Sequence, residues 1–174
     1  MPRIWAIFFA TLLLAAAASA QMPSAPKPGP ELKKLDYFAG NWNCPGDMKP
    51  GPMGPGGKMT MSEESKWMEG GFYLVMNTKY DSGAMGKGIG TAYLGYDSDD
   101  KKYTYNEFNS QGEPSASKGT VDGDTWTWIS DMKSMKGRFT ETIVSPTVYS
   151  FKFDMSSDGA TWTPVMDGKC TKSK

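Results

Sequence analysis

The 174-residue chain contains no histidine, two cysteines and two arginines. Without an imidazole there is no Ser-His-Asp or Cys-His nucleophilic catalysis, no His-ligated haem and none of the usual His-bearing zinc sites. Arginine is confined to Arg3 and Arg138, which leaves little for bidentate recognition of phosphate or carboxylate. An excess of either charge is lacking too: 19 basic and 19 acidic residues give a formal net charge of +0. Such a chain has no field with which to gather nucleic acid or an anionic membrane surface, so neither is expected as a partner.

One long apolar run is present, at the start. Arg3, the apolar stretch from Ile4 to Ala18 and the small residues Ala18-Ser19-Ala20 ahead of Gln21 follow the order of a secretory signal peptide. The run is short of the roughly 20 apolar residues a spanning helix needs. Cleavage after Ala20 is the expectation, giving a periplasmic or secreted product with 18 basic and 19 acidic residues and no membrane anchor. In an oxidising compartment Cys44 and Cys170 are expected to form one disulfide, since a thiol nucleophile has no imidazole to activate it.

Residues 21–30 (QMPSAPKPGP) are Pro-rich and read as a leader; residues 31–174 read as one β domain. Glu31 to Ala39 places Leu32, Leu35 and Phe38 at helical spacing before Gly40, which predicts a short helix across one end of that domain. The pattern then changes to period two, cut by turn residues. Ten strands are expected, over 41–45, 58–67, 71–80, 88–96, 101–109, 115–121, 124–130, 135–144, 147–155 and 160–171. Asp122-Gly123 is a tight hairpin signal, and 97–100 and 156–159 read as β-turns. Asp97-x-Asp99 resembles the start of a calcium loop, but the later ligands and glycine are missing. Pro45 to Gly57 is the one long connection, rich in Pro and Gly, and could cover an opening of the domain.

Closing the strands into an antiparallel up-and-down barrel removes both edges. The cysteines favour closure, because they lie on the first and last strands and a disulfide needs Cα atoms within about 7 Å. A two-sheet sandwich would also bring them together. If both cysteines face inward, period two places Trp42, Trp162 and Met166 inside with them. Extended strand by strand, the interior takes Met59, Met61, Glu63, Trp67, Phe72, Leu74, Met76, Tyr103, Tyr105 and Glu107. Trp126, Trp128, Phe139, Glu141, Ile143, Tyr149, Phe151 and Phe153 complete it, with Arg138 outside. On the fourth strand Tyr93 and Leu94 compete for the core.

Three carboxylates thus point inward: Glu63, Glu107 and Glu141. A buried charge is costly unless paired or solvated, so either the parity slips at a bulge or the interior holds water or a ligand. An acidic, aromatic interior without a basic partner suits a cation or a hydrogen-bond-rich ligand better than a fatty acid.

Phe38-Ala39-Gly40-Asn41-Trp42 resembles the G-x-W motif of calycin barrels, the lipocalin and fatty-acid-binding-like group. Trp67-x-x-Gly70-Gly71-Phe72-x-Leu74 and Leu94-Gly95-Tyr96-Asp97-x(5)-Tyr103 resemble the bacterial family designated domain of unknown function 1579, over roughly 31–172. The resemblance implies a calycin-like barrel and assigns no activity. At Phe72 the family pattern often carries a basic residue, so no role passes to that position.

The function expected from these residues is a small-ligand-binding barrel rather than an enzyme, with no cofactor. Glu63, Trp67, Tyr105, Glu107, Trp126, Trp128, Glu141 and Phe151 are the candidate ligand contacts, for a small apolar or cationic molecule. The alternatives are an envelope interaction protein with a filled core, and Cu(I) handling by Met59 and Met61 near Met48 and Met53. An enzyme working with Glu107 and Glu141 as paired carboxylates is the third.

Overall fold

The structure is a computed structural model and describes residues 26–51, 54–83, 86–112 and 114–173. The expected signal segment and residues 21–25 of the leader lie outside the described residues, as does Met53. Among the described residues no helix is long and apolar enough to cross a membrane.

A 3-10 helix, Pro30–Phe38, precedes ten strands: β1 (Gly40–Met48), β2 (Gly57–Trp67), β3 (Leu74–Asp81), β4 (Lys87–Asp97), β5 (Lys102–Asn109), β6 (Ser115–Asp122), β7 (Thr125–Met132), β8 (Met135–Ser145), β9 (Val148–Ser156) and β10 (Thr163–Ser173). Each pairs antiparallel with the next in sequence, and β1 closes the ring against β10. The sandwich alternative falls with that closure. Cys44 and Cys170 form a disulfide with Cα atoms 4.0 Å apart, both side chains fully buried. The β1–β10 ladder pairs Asn43 with Thr171 and Gly46 with Gly168 but is interrupted between them. Pro45 has no N–H to donate there, and the disulfide ties the strands across the gap.

The helix owes its type to its spacing. Leu32, Leu35 and Phe38 recur every three residues, which is the 3-10 repeat, so all three eclipse on one face and are buried. Pro30 sits at the first turn, where its missing N–H is harmless. Side chains then fasten this segment across the barrel: Trp42 Nε1 donates to the Phe38 carbonyl (3.0 Å), Trp67 Nε1 to Asp36 Oδ1 (2.8 Å), Tyr103 OH to the Glu31 carbonyl (2.9 Å) and Tyr37 OH to the Ser145 carbonyl (2.9 Å).

Strand parity holds around most of the ring. Trp42, Cys44, Met59, Leu74, Met76, Tyr103, Trp126, Trp128, Tyr149, Phe151 and Cys170 are all buried. On β4 the competition is settled for Leu94, which joins Ala92 in the core. Three expectations need correction. First, β1 continues through Pro45-Gly46 to Met48, so the Pro/Gly connection is shorter, 49–56. Second, Gly70 and Gly71 take φ of +89° and +73°, a turn that delays β3 to Leu74 and leaves Phe72 half-buried beside Gly70.

Third, Trp162 does not face inward with Cys170. The β9–β10 register shifts between Pro164 and Met166, making Val165 a bulge that reverses parity for residues before it. Trp162 instead lies on the outer face beneath the Arg138 guanidinium, 4.3 Å from the ring centre. Arg138 is outside, as expected, and holds the buried Asp154 carboxylate through Nη2 (2.9 Å) and Nε (3.2 Å).

Candidate functional site

The two ends of the barrel differ. At one end the 3-10 helix, Trp42, Tyr103, Trp126 and Tyr149 fill the lumen, their rings meeting edge-on or tilted around Phe38 and each other. At the other end the strands are joined by the 49–56 connection and four shorter ones, and among the described residues no helix lies across the opening.

Between that filled plug and the open end is an interior cavity of about 310 Å³. Its walls are drawn from nine strands. Met59, Met61 and Glu63 come from β2, Met76, Thr78 and Tyr80 from β3, and Leu94 from β4. Tyr105 and Glu107 come from β5, Ser115 and Ser117 from β6, Trp128 and Ser130 from β7, Phe139 and Glu141 from β8, and Phe153 and Met166 from β9 and β10. Small residues make the room. Gly90 has no side chain where the Glu107 carboxyl lies, and β6 offers only serines to this part of the lumen.

All three expected interior carboxylates line the cavity, so parity holds on their strands. Glu63 and Glu141 are each 7% exposed. Glu63 Oε2 accepts from Tyr149 OH (3.0 Å), Glu141 Oε2 from Trp128 Nε1 (2.8 Å), and Glu107 Oε2 from Tyr105 OH (3.2 Å). No lysine or arginine is among the lining residues. Burial therefore dominates their titration: it lifts Glu63 to about 7 against the opposing Tyr149 hydrogen bond. Glu141 rises to about 8 through burial, with the Trp128 bond opposing and the Glu63 charge adding to it. Glu107 moves in the same direction for the same first reason. The Tyr149 and Tyr105 phenols are held well above their ordinary value by burial and by these acids. Near neutral pH the cavity thus carries carboxyls that donate when protonated and attract cations when ionised.

Of the eight expected contacts, Glu63, Tyr105, Glu107, Trp128 and Glu141 line the cavity together. Trp67, Trp126 and Phe151 do not. Trp67 is tied to Asp36 under the helix, and Trp126 is sealed in the plug. Phe151 lies over the paired backbones of Gly46 and Gly168, its ring filling the space their side chains would need. Sequence reasoning missed Thr78, Ser115, Ser117 and Ser130. Thr78 was within reach of the argument, since it follows Leu74 and Met76 in parity. The run SASKG on β6 has no apolar face from which an inside could be chosen.

Met59, Met61, Met76 and Met166 contribute thioethers to the wall. Met48 is buried at the end of β1. Among the described residues no group of three or more Cys, Asp or Glu is arranged to hold a metal ion. A broader depression of about 790 Å³ crosses the outer face of β1, β2, β8, β9 and β10. Both acids of its lining are paired with lysines, Asp47 with Lys58 (2.7 Å) and Asp167 with Lys49 (2.5 Å).

Similarity to known proteins bears on the fold. Rv2717c from M. tuberculosis aligns with a TM-score of 0.60 at 15% sequence identity, over 85% of this chain and 100% of that one. The S-type phycobiliprotein lyase CPES from Guillardia theta aligns with a TM-score of 0.56 at 10% identity, over 82% of this chain and 92% of that one. At such identities the likeness is one of architecture. Comparison with curated proteins finds no match. The family model described as protein of unknown function (DUF1579) matches residues 27–172, nearly the whole of the barrel and its helix, and the chain belongs to that family.

Proposed function

We propose that this protein is an exported binding barrel that holds one small, largely apolar molecule in its interior cavity and performs no chemistry on it. The observation that carries this reading is the cavity itself. A barrel of ten strands has its lumen filled at one end by rings and a helix, while the other half keeps about 310 Å³ of space. Close packing is the rule in protein interiors, and a retained volume of this size, mostly apolar with a few convergent polar groups, is the usual form of a ligand site. The four methionines serve as an adaptable wall.

Export is supported by the order of features in residues 1–20 and by the Cys44–Cys170 disulfide, which belongs to an oxidising compartment. Sequencing the N-terminus of the protein recovered from outside the cytoplasm is expected to begin at Gln21.

Native mass spectrometry of protein purified from its own host tests the binding reading. A retained mass above that of the bare chain, lost on mild activation, is expected. A bare chain that also fails to take up a neutral hydrophobic dye overturns it.

A further inference from the structure

The cavity asks for a positive charge that its walls do not supply. Glu63 and Glu141 stand on β2 and β8, and each accepts a single hydrogen bond on Oε2. Among the described residues no protein donor reaches the Oε1 of either. Thr78, directly opposite Glu63 in the β2–β3 register, is 8% exposed and lines the same space, and its hydroxyl has no hydrogen-bond partner among the described residues. Ser65 Oγ is the sealed, partnerless side-chain polar atom among the described residues, so the Glu63 and Glu141 Oε1 atoms and the Thr78 hydroxyl open onto the cavity and are met by whatever the cavity holds. Arg138, the one described arginine, is engaged on the outer face with Asp154 and Trp162. Among the described residues no third Cys, Asp or Glu is arranged with the two acids to hold a metal ion, and the wall is otherwise largely of Met, Leu, Phe and Trp, a lining that suits a positive charge carried on an apolar body.

We propose that the cavity receives an organic cation, a protonated amine on an aromatic or aliphatic frame. Its ammonium is taken up by the Glu63 and Glu141 carboxylates and the Thr78 hydroxyl, and its frame packs on Trp128, Leu94 and Met76. This rests on the reading of the cavity as a binding site. An ammonium has three donors, matching two carboxylate oxygens and one hydroxyl, and the Trp128 ring adds a surface attractive to cations.

Uptake is linked to protons. The titratable groups facing the two acids are Tyr149 of β9, Tyr105 and Glu107 of β5, Tyr80 of β3, and Tyr37 from the helix, and none of them carries positive charge. Burial keeps Glu63 and Glu141 protonated up to about 7 and about 8, whereas an alkylammonium stays charged to about 10. Loading the amine near neutral pH therefore expels protons from the carboxyls, and affinity rises from about pH 6 to about pH 8.5.

Isothermal titration of the mature protein with tryptamine and 2-phenylethylamine, each beside the alcohol that replaces its ammonium with a hydroxyl, tests this. The amines are expected to bind at least tenfold more tightly than the alcohols at about pH 8.5, and to release protons at about pH 6.5 in buffers of differing ionisation heat. Glu141→Gln and Glu63→Gln, which nearly keep shape and remove the charge, are expected to lower amine affinity at least tenfold and to change alcohol affinity much less, so that the preference for amine over alcohol collapses. Alcohols that bind as well as the amines overturn the cation proposal and leave the binding site standing. Amines that give no heat overturn the proposal, and if the alcohols and a neutral hydrophobic dye also fail to bind, the binding reading falls with it.

Discussion

The Glu107 carboxyl occupies the place where a side chain on Gly90 would be: a Cβ there would stand 2.3 Å from Oε1. The two residues lie on adjacent strands, β4 and β5, and the missing methyl is what lets the acid turn into the cavity. Because the obstruction is the tip of a flexible side chain, Gly90→Ala is expected to fold with a stability change of under about 1 kcal/mol. The Tyr105–Glu107 hydrogen bond should break as the carboxyl moves. Thermal melting should show little difference from the parent, while binding of any cavity ligand changes. A large loss of stability would show that the carboxyl has nowhere to go.

Gly168 offers the opposite case. A Cβ there would stand 2.4 Å from the Phe151 ring and 2.5 Å from the Pro45 carbonyl oxygen, and backbone cannot step aside as a side-chain tip does. Gly168→Ala should cost roughly 1–3 kcal/mol or more, the range of overpacked cores. Denaturant unfolding measures it, and a partial rescue by Phe151→Leu would confirm the clash as the cause.

Stability should fall as pH rises through the neutral range. The unfolded chain releases the Glu63 and Glu141 protons near the ordinary 4.5, whereas the folded barrel keeps them to about 7 and about 8. Between those limits unfolding releases protons, so the free energy of unfolding drops with pH, and these two groups add no slope below or above the window. Glu141→Gln and Glu63→Gln are each expected to stabilise the empty barrel at about pH 8 by on the order of 2–4 kcal/mol. Both variants should also flatten the slope between about pH 5 and 8. Melting curves across that range decide it, and a slope unchanged in the double variant would reject the burial argument.

The disulfide spans 126 residues of sequence and is wholly buried. Thiol-specific alkylation should find no reactive group in the native protein under mild reductant and two after unfolding. Replacing both cysteines by alanine should lower stability by about 5 kcal/mol on the chain-entropy estimate. Chemical denaturation reads the loss. A variant as stable as the parent would mean that the β1–β10 seam holds without its covalent tie.

The fold was legible because two constraints agreed. Period two told inside from outside on most strands, β4 and β6 excepted, and two cysteines at opposite ends of the domain had to meet. The interior acids were legible for the same reason: Glu63, Glu107 and Glu141 share parity with large apolar neighbours. Legibility stopped where the backbone departs from the ideal pleat. The bulge at Val165 reversed Trp162; Pro164, which cannot donate to a ladder, signals an irregularity in the expected strand but does not say where the extra position falls. It stopped also at depth. Parity puts Trp67, Trp126 and Phe151 inside correctly, but it does not say which inward rings build the plug and which face the cavity. That division is made by the helix, which claims one end of the lumen.

Among the described residues, Leu32, Leu35 and Phe38 stopper one end of the lumen and no helix crosses the other. On the binding reading proposed above, a guest would leave by the route it came, so capture and discharge would be one reversible passage, governed together by anything seated on the far rim.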